Sequence, residues 1–122
     1  MKTHRLVVSA FIACALFPMV VGGTQAQLSI DNDKALLEKG ISAMKSSDFV
    51  QARSLMESLI SRYPDSQLVP LAKFSIADAW YEEGNYKKAE TEYRDFVIFF
   101  PNRPEVAEAR MRIENIRTKS KM

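Results

Sequence analysis

The two side chains most often used for nucleophilic and metal chemistry occur once each in this 122-residue sequence, both near its beginning. The single cysteine is Cys14 and the single histidine is His4. If the segment that holds them is removed, the rest of the chain has no thiol and no imidazole. Disulfides, thiolate nucleophiles, histidine acid–base pairs and Cys/His zinc sites are then excluded. Carboxylates and hydroxyls show no catalytic spacing, so we expect no enzyme, no cofactor and no metal site.

The charge pattern argues against nucleic-acid binding. Lys and Arg total 17 and Asp and Glu total 15, which gives a formal net charge of +2. Lys2 and Arg5 account for that excess, so the charges of the remaining chain balance. Neutralising phosphates requires clustered cations, and the sequence has no basic block. We therefore expect no nucleic-acid partner.

The first 26 residues have the order of an export signal. A short basic start at residues 1–5 precedes an apolar run at 6–21, and small and polar residues follow to Ala26. This order predicts a secretory signal peptide over 1–26, followed by a short linker at 27–32. A membrane anchor is the alternative, but a spanning helix needs about 20 apolar residues, and this run is shorter and contains Pro18.

Cys14 offers a second way to read the export signal. Residues 11–14, Phe-Ile-Ala-Cys, resemble the box at which bacterial lipoprotein signals are cut to leave a lipidated cysteine. Phe11 stands where that box usually has leucine, and residues 15–21 stay apolar where lipoprotein linkers are polar. We favour ordinary cleavage after Ala26 and keep lipidation of Cys14 as the alternative.

The remaining chain has the periodicity of helices. Apolar residues recur three or four positions apart, and the alternation typical of strands is absent. The pattern predicts an all-α domain over 33–119 with a tail at 120–122. The five expected helices are 33–46, 49–63, 67–83, 86–100 and 104–119. Asp31, Asn32 or Asp33 is predicted to cap the first helix, and Asn85 is predicted to cap the fourth. Asp48 with Gln51 and Asn102 with Glu105 are expected to form capping boxes for the second and fifth helices.

These helices repeat at an interval of 37 residues. The segment that begins at Phe49 matches the one at Tyr86, and Tyr63-Pro64-Asp65 matches Phe100-Pro101-Asn102. Gly40 falls on Ala77 at the same interval. Several matched features at one offset indicate a structural repeat of helical hairpins.

The repeat resembles the tetratricopeptide (TPR) family, whose pattern places large, small, aromatic and proline residues at fixed spacings. The matching residues are Leu36, Gly40, Ala43, Ala52, Met56 and Pro64, then Lys73, Ala77, Trp80, Ala89, Tyr93 and Pro101. The 37-residue period and the Tyr-Pro-Asp-Ser stop are similar to those of the BamD-like outer-membrane assembly lipoproteins. The resemblance implies an α-solenoid located in the periplasm, at the inner face of the outer membrane.

The last predicted helix departs from the family pattern. At the position of Gly40 and Ala77 it has Glu114, and at the position of Trp80 it has Arg117. We expect this helix to face water on one side, as terminal repeats do. The sequence then represents a short family member of about two and a half repeats, with a truncated longer protein as the alternative.

The resemblance also implies a peptide groove formed by the first helix of each hairpin. The family's groove positions transfer to Leu37, Ile41, Met44, Phe74, Asp78, Tyr81, Met111 and Asn115. Phe74 and Tyr81 lie outside the apolar stripe of their helix, so we expect both in the groove. For Leu37, Ile41 and Met44 a core position is an equal alternative. Asp78 is either an anchor for a peptide or a solvated charge.

Two functions fit this resemblance. The first is a periplasmic adaptor that binds unfolded outer-membrane protein segments during their assembly. The alternative is a cell-envelope scaffold of the Tol–Pal coordinator type, which docks subunits of an envelope complex. In both cases the protein meets a membrane only through a lipid anchor or through a partner.

Overall fold

The computed structural model describes residues 31–122, so the predicted signal, His4 and Cys14 lie outside the described residues. Every regular element within 31–122 is a helix. The five helices are α1 (Asp33–Lys45), α2 (Phe49–Arg62), α3 (Val69–Glu82), α4 (Tyr86–Phe99) and α5 (Val106–Ser120). Each helix packs on the next, and α1 also contacts α3. The predicted all-α, TPR-like architecture is confirmed. None of these helices has both the length and the apolar character that crossing a bilayer would require.

Three of the predicted N-caps are confirmed. The side chain of Asn32 accepts a hydrogen bond from the amide of Ala35 at 2.8 Å. Asp48 accepts in the same way from Gln51 at 3.2 Å, and Asn85 accepts from the amide of Lys88 at 3.3 Å. Each cap satisfies one of the amides that the first turn of a helix leaves without a partner.

Helices α3 and α5 begin two residues later than predicted, because a turn precedes each of them. In the second of these turns the amide of Arg103 donates to the carbonyl of Phe100, and the amide of Val106 donates to that of Arg103. The predicted capping box from Asn102 to Glu105 is wrong. Glu105 instead pairs with Arg103, at 2.9 Å.

The backbone confirms the 37-residue repeat. The turn from α1 to α2 places Ser47 at φ 59°, and the turn from α3 to α4 places its equivalent Gly84 at φ 90°. The amide of Asp48 donates to the carbonyl of Ala43 at 2.9 Å, and the equivalent bond from Asn85 to Trp80 has the same length. The two hairpins therefore share one turn geometry.

The core consists of two apolar clusters that meet at α3. The first cluster contains Leu36, Leu37, Met56, Leu59, Ala72 and Ile76. The second contains Phe74, Ala77, Ala89, Tyr93, Phe96, Ala109, Ile113 and Ile116. Trp80 is half-buried and packs against both clusters. Helix α3 thus contributes to the packing of both hairpins.

The small residues predicted inside the hairpins allow close helix contact. A Cβ atom added to Gly40 would lie 2.5 Å from the Cε of Met56, which is fully buried. The equivalent Ala77 is also fully buried. In α5 the equivalent Glu114 is exposed, together with Arg117, so the predicted water-facing side of this helix is confirmed.

Candidate functional site

The predicted groove residues occupy three equivalent positions on α1, α3 and α5, 37 residues apart. The first position holds Leu37, Phe74 and Met111. The second holds Ile41, Asp78 and Asn115. The third holds Met44 and Tyr81. Because the helices repeat in structure as well as in sequence, residues at one position form a row across the three helices.

The first position is largely core. Leu37 and Phe74 are 8% and 6% exposed, whereas Met111 is 55% exposed. The ring of Phe74 packs at 5.8 Å from that of Tyr93 and 5.3 Å from that of Phe96. The prediction that Phe74 lies in the groove outside the core is therefore wrong. Helix α3 packs against both α2 and α4, so apolar residues on more than one of its stripes are buried.

The second position remains accessible to different degrees. Ile41 is 37% exposed, Asn115 is exposed, and Asp78 is half-buried. The hydroxyl of Tyr93, which is fully buried, donates a hydrogen bond to Oδ1 of Asp78. Asp78 is therefore neither a freely solvated charge nor fully available to a ligand.

Burial raises the pKa values of both Asp78 and Tyr93. Desolvation raises the pKa of Asp78 above its ordinary 3.8, while the hydrogen bond from Tyr93 and the charge of Arg112 oppose that rise. Burial also raises the pKa of Tyr93, and its hydrogen bond to Asp78 adds to the effect. Tyr93 therefore keeps its proton and remains a donor.

The third position places an aromatic ring at the surface. Met44 and Tyr81 are both half-buried. The ring of Tyr81 meets that of Tyr86 edge-on at 5.4 Å and that of Tyr93 at 6.4 Å. The guanidinium carbon of Arg112 lies 4.6 Å from the Tyr81 ring centroid, a cation–π distance. Tyr81 is thus contacted by three neighbours, and the residue as a whole remains partly exposed.

Arg112 belongs to this site but is not among the groove residues predicted from the sequence. It extends from α5 to Glu82 of α3, at 3.4 Å, and pairs with Glu108 of its own helix at 3.3 Å. The four-residue spacing from Glu108 to Arg112 was a visible signal for the second pair. The contacts with Glu82 and Tyr81 depend on tertiary packing and had no sequence signal.

Together these side chains form part of the surface of α3 and α5. We call it the α3–α5 face and define it by Asp78, Tyr81, Glu82, Met111 and Arg112. It offers an aromatic ring and a thioether for apolar side chains, and carboxylates that can accept hydrogen bonds from peptide amides. Three carboxylates, including that of the adjoining Glu108, lie around the guanidinium of Arg112, so acidic groups outnumber basic ones here.

Comparison with known proteins gives one family. The model of the YfiO family, described as outer membrane lipoprotein, matches residues 30–114. The match covers α1 to α4 and the first part of α5, and so includes all five residues that define the α3–α5 face. A comparison with curated proteins finds no match.

Proposed function

The chain belongs to the YfiO family of outer membrane lipoproteins, and from this premise we propose that it is a periplasmic adaptor that binds polypeptide segments during outer-membrane protein assembly. Family membership agrees with the BamD-like resemblance of the repeat. The Tol–Pal type of scaffold gains no support from the match and is not proposed. The proposed role is binding, with no catalytic step.

The observation that carries this proposal is the exposed apolar surface on the first helices of the hairpins, with one residue from each of the three groove positions. Ile41, Tyr81 and Met111 retain exposed surface, although apolar and aromatic side chains are usually buried where packing allows. Tyr81 is also held in place from three sides. A rigid, partly exposed aromatic ring loses little conformational entropy on binding, so it is a good anchor for a ligand.

The chemistry of the exposed side chains on these helices suggests the ligand. Unfolded barrel strands alternate apolar and polar residues, and their C-terminal strands end in an aromatic residue. An extended segment could place its apolar residues on Tyr81 and Met111 while its amides donate to Asp78 or Glu82. This is the recognition mode in which main-chain hydrogen bonds give affinity and side-chain contacts give specificity.

Attachment to the membrane is a separate part of the proposal. The family description supports the lipidated form of Cys14, which would hold the repeat domain at a membrane surface. Cleavage after Ala26 would leave the domain free in the periplasm. Intact-mass analysis of the mature protein separates the two, because only the first leaves an acylated cysteine at the N-terminus.

Affinity for barrel peptides tests the adaptor role. We expect synthetic C-terminal peptides of outer-membrane barrels to bind the mature protein, and Tyr81→Ala to weaken binding by at least about tenfold. Met111→Ala, at an exposed position, should weaken it by about threefold. Fluorescence anisotropy measures both, and circular dichroism verifies that each variant is folded.

The matched control is Phe99→Ala, which removes an aromatic ring that is 71% exposed on a second helix. That variant should bind as tightly as the parent protein. Equal affinity of the parent and the Tyr81→Ala, Met111→Ala double variant would remove the adaptor proposal.

A further inference from the structure

An open groove lies between α4 and α5, on a different part of the surface from the α3–α5 face. Its apolar lining consists of Val97, Ile98 and Ile113. Its charged lining consists of Arg94, Arg110, Arg117 and Glu114. No helix of the described part of the chain occupies it. We call it the α4–α5 groove.

The preceding repeat shows what occupies the equivalent groove. Subtracting 37 from Arg94, Arg110 and Arg117 gives Glu57, Lys73 and Trp80. Helix α4 lies beside these three residues: Lys88 is 4.3 Å from the Trp80 ring centroid, and Glu92 lines one surface pocket with Glu57 and another with Lys73. We call the site formed by Glu57, Lys73 and Trp80, beside which α4 lies, the filled seat. Because the α4–α5 groove is its equivalent in the repeat, we expect that groove to fit a helix as well.

The charge of the seat changes between the two repeats. In the filled seat one acid, Glu57, and one base, Lys73, each share a pocket with Glu92 of α4. In the α4–α5 groove both equivalents are arginines, and a third arginine stands at the position of Trp80. Arg94 pairs with Glu90 of its own helix, and Arg117 lies 3.7 Å from the same carboxylate and 3.5 Å from that of Glu114. Arg110 makes no ion pair with any residue of 31–122. The groove therefore attracts negative charge.

The α4–α5 groove also has more apolar lining than the filled seat. Ile98 is 69% exposed, and its equivalent in the filled seat is Ser61. Val97 is half-buried beside it. An exposed isoleucine next to further apolar surface is stabilised when a partner covers it. The exposed Glu114 stands where the fully buried Ala77 lies in the filled seat, so an occupant would pack toward Val97 and Ile98.

We propose that the α4–α5 groove docks an acidic amphipathic helix of a partner protein. The positions of Lys88 and Glu92 define its pattern: two acidic residues four apart, one facing Arg117 and the other facing Arg94 and Arg110. An apolar stripe beside them covers Val97, Ile98 and Ile113. A second copy that paired through the same groove would place arginines against arginines, so charge opposes it. This inference goes beyond the adaptor role and does not depend on it.

Binding of designed peptides tests this inference. The probe is a synthetic amphipathic helix with a leucine stripe and glutamates four residues apart, and its partner probe has lysines in place of the glutamates. We expect the mature protein to bind only the acidic probe, with an affinity that falls as salt rises. Arg94→Glu with Arg110→Glu should weaken binding by roughly tenfold or more. Ile98→Ser, which restores the residue of the preceding repeat, should weaken it by about fivefold.

The control variant is Arg62→Glu, which makes one arginine-to-glutamate change at an exposed position outside the groove and is compared with Arg110→Glu alone. It should leave binding of the acidic probe unchanged, as should Tyr81→Ala on the α3–α5 face. Equal binding of the acidic and lysine probes, or full binding by the Arg94→Glu, Arg110→Glu variant, would overturn the proposal. So would a stable dimer in light scattering that Ile98→Ser converts to monomer, because the occupant would then be a second copy.

Discussion

Replacing Phe74 with alanine lowers the free energy of unfolding by about 3–5 kcal/mol. The ring is 6% exposed and packs against Tyr93 and Phe96, so its removal leaves a cavity between α3 and α4. The neighbouring Ala77 and Ala89 are too small to fill the space. Denaturant unfolding followed by circular dichroism measures the loss.

Two further variants separate burial from ring chemistry at this site. Phe74→Leu keeps most of the buried volume and should cost about 1 kcal/mol. Phe99→Ala removes the same ring from an exposed position and should change stability by less than about 0.5 kcal/mol. Because Phe74 does not reach the surface, Phe74→Leu should also bind barrel peptides as the parent does. A Phe74→Ala variant as stable as Phe99→Ala would show that the second core cluster is wrongly placed.

Replacing Trp80 with alanine should cost about 3 kcal/mol. Trp80 packs against both core clusters, and its ring lies under two cations, with the guanidinium carbon of Arg53 at 3.5 Å and Nζ of Lys88 at 4.3 Å from its centroid. Arg53 is 8% exposed and pairs with Glu83 at 2.9 Å. Without the ring, a buried guanidinium keeps its ion pair but loses its largest packing surface.

Trp80→Phe is the matched variant, because it keeps an aromatic face for Arg53 while removing the indole. If the contact were purely apolar, Trp80→Phe should lose about half of the unfolding free energy that Trp80→Ala loses. We expect its loss to be about 1 kcal/mol smaller than that, because the cation–π contact is kept. Hydrogen exchange provides the second readout: amides of α2 and α4 should lose protection together in Trp80→Ala. Loss confined to one hairpin would contradict the role of Trp80 in joining the clusters.

Much of the fold was predictable because its signals are local. Asp48 and Asn85 cap helices by accepting from amides three residues away, so the residue type and spacing were sufficient. For the first helix they left Asp31, Asn32 and Asp33 as candidates, and the structure selects Asn32. The repeat was equally visible, since Gly40 and Ala77 mark the same close helix contact. The predicted capping box with Glu105 was wrong because the carboxylate of Glu105 pairs with Arg103 instead.

The candidate site was harder to predict because it depends on packing. A single stripe was assigned to the core of α3, but this helix packs on both sides and buries Phe74 as well as Ala72 and Ile76. The apolar character of α3 around most of its circumference was the missed signal. Arg112 joins the site by reaching from α5 to Tyr81 and Glu82, and no spacing within one helix predicts that contact.

Photo-crosslinking in the cell envelope is the most direct test of the central claim, that polypeptides dock on the first helices of the hairpins. A photoreactive residue at Met111 of the α3–α5 face is compared with one at Val50, which is 66% exposed on a second helix. We expect crosslinks to unfolded outer-membrane proteins from Met111 and none from Val50. Crosslinks of equal yield from both positions, or none to such proteins from Met111, would contradict it.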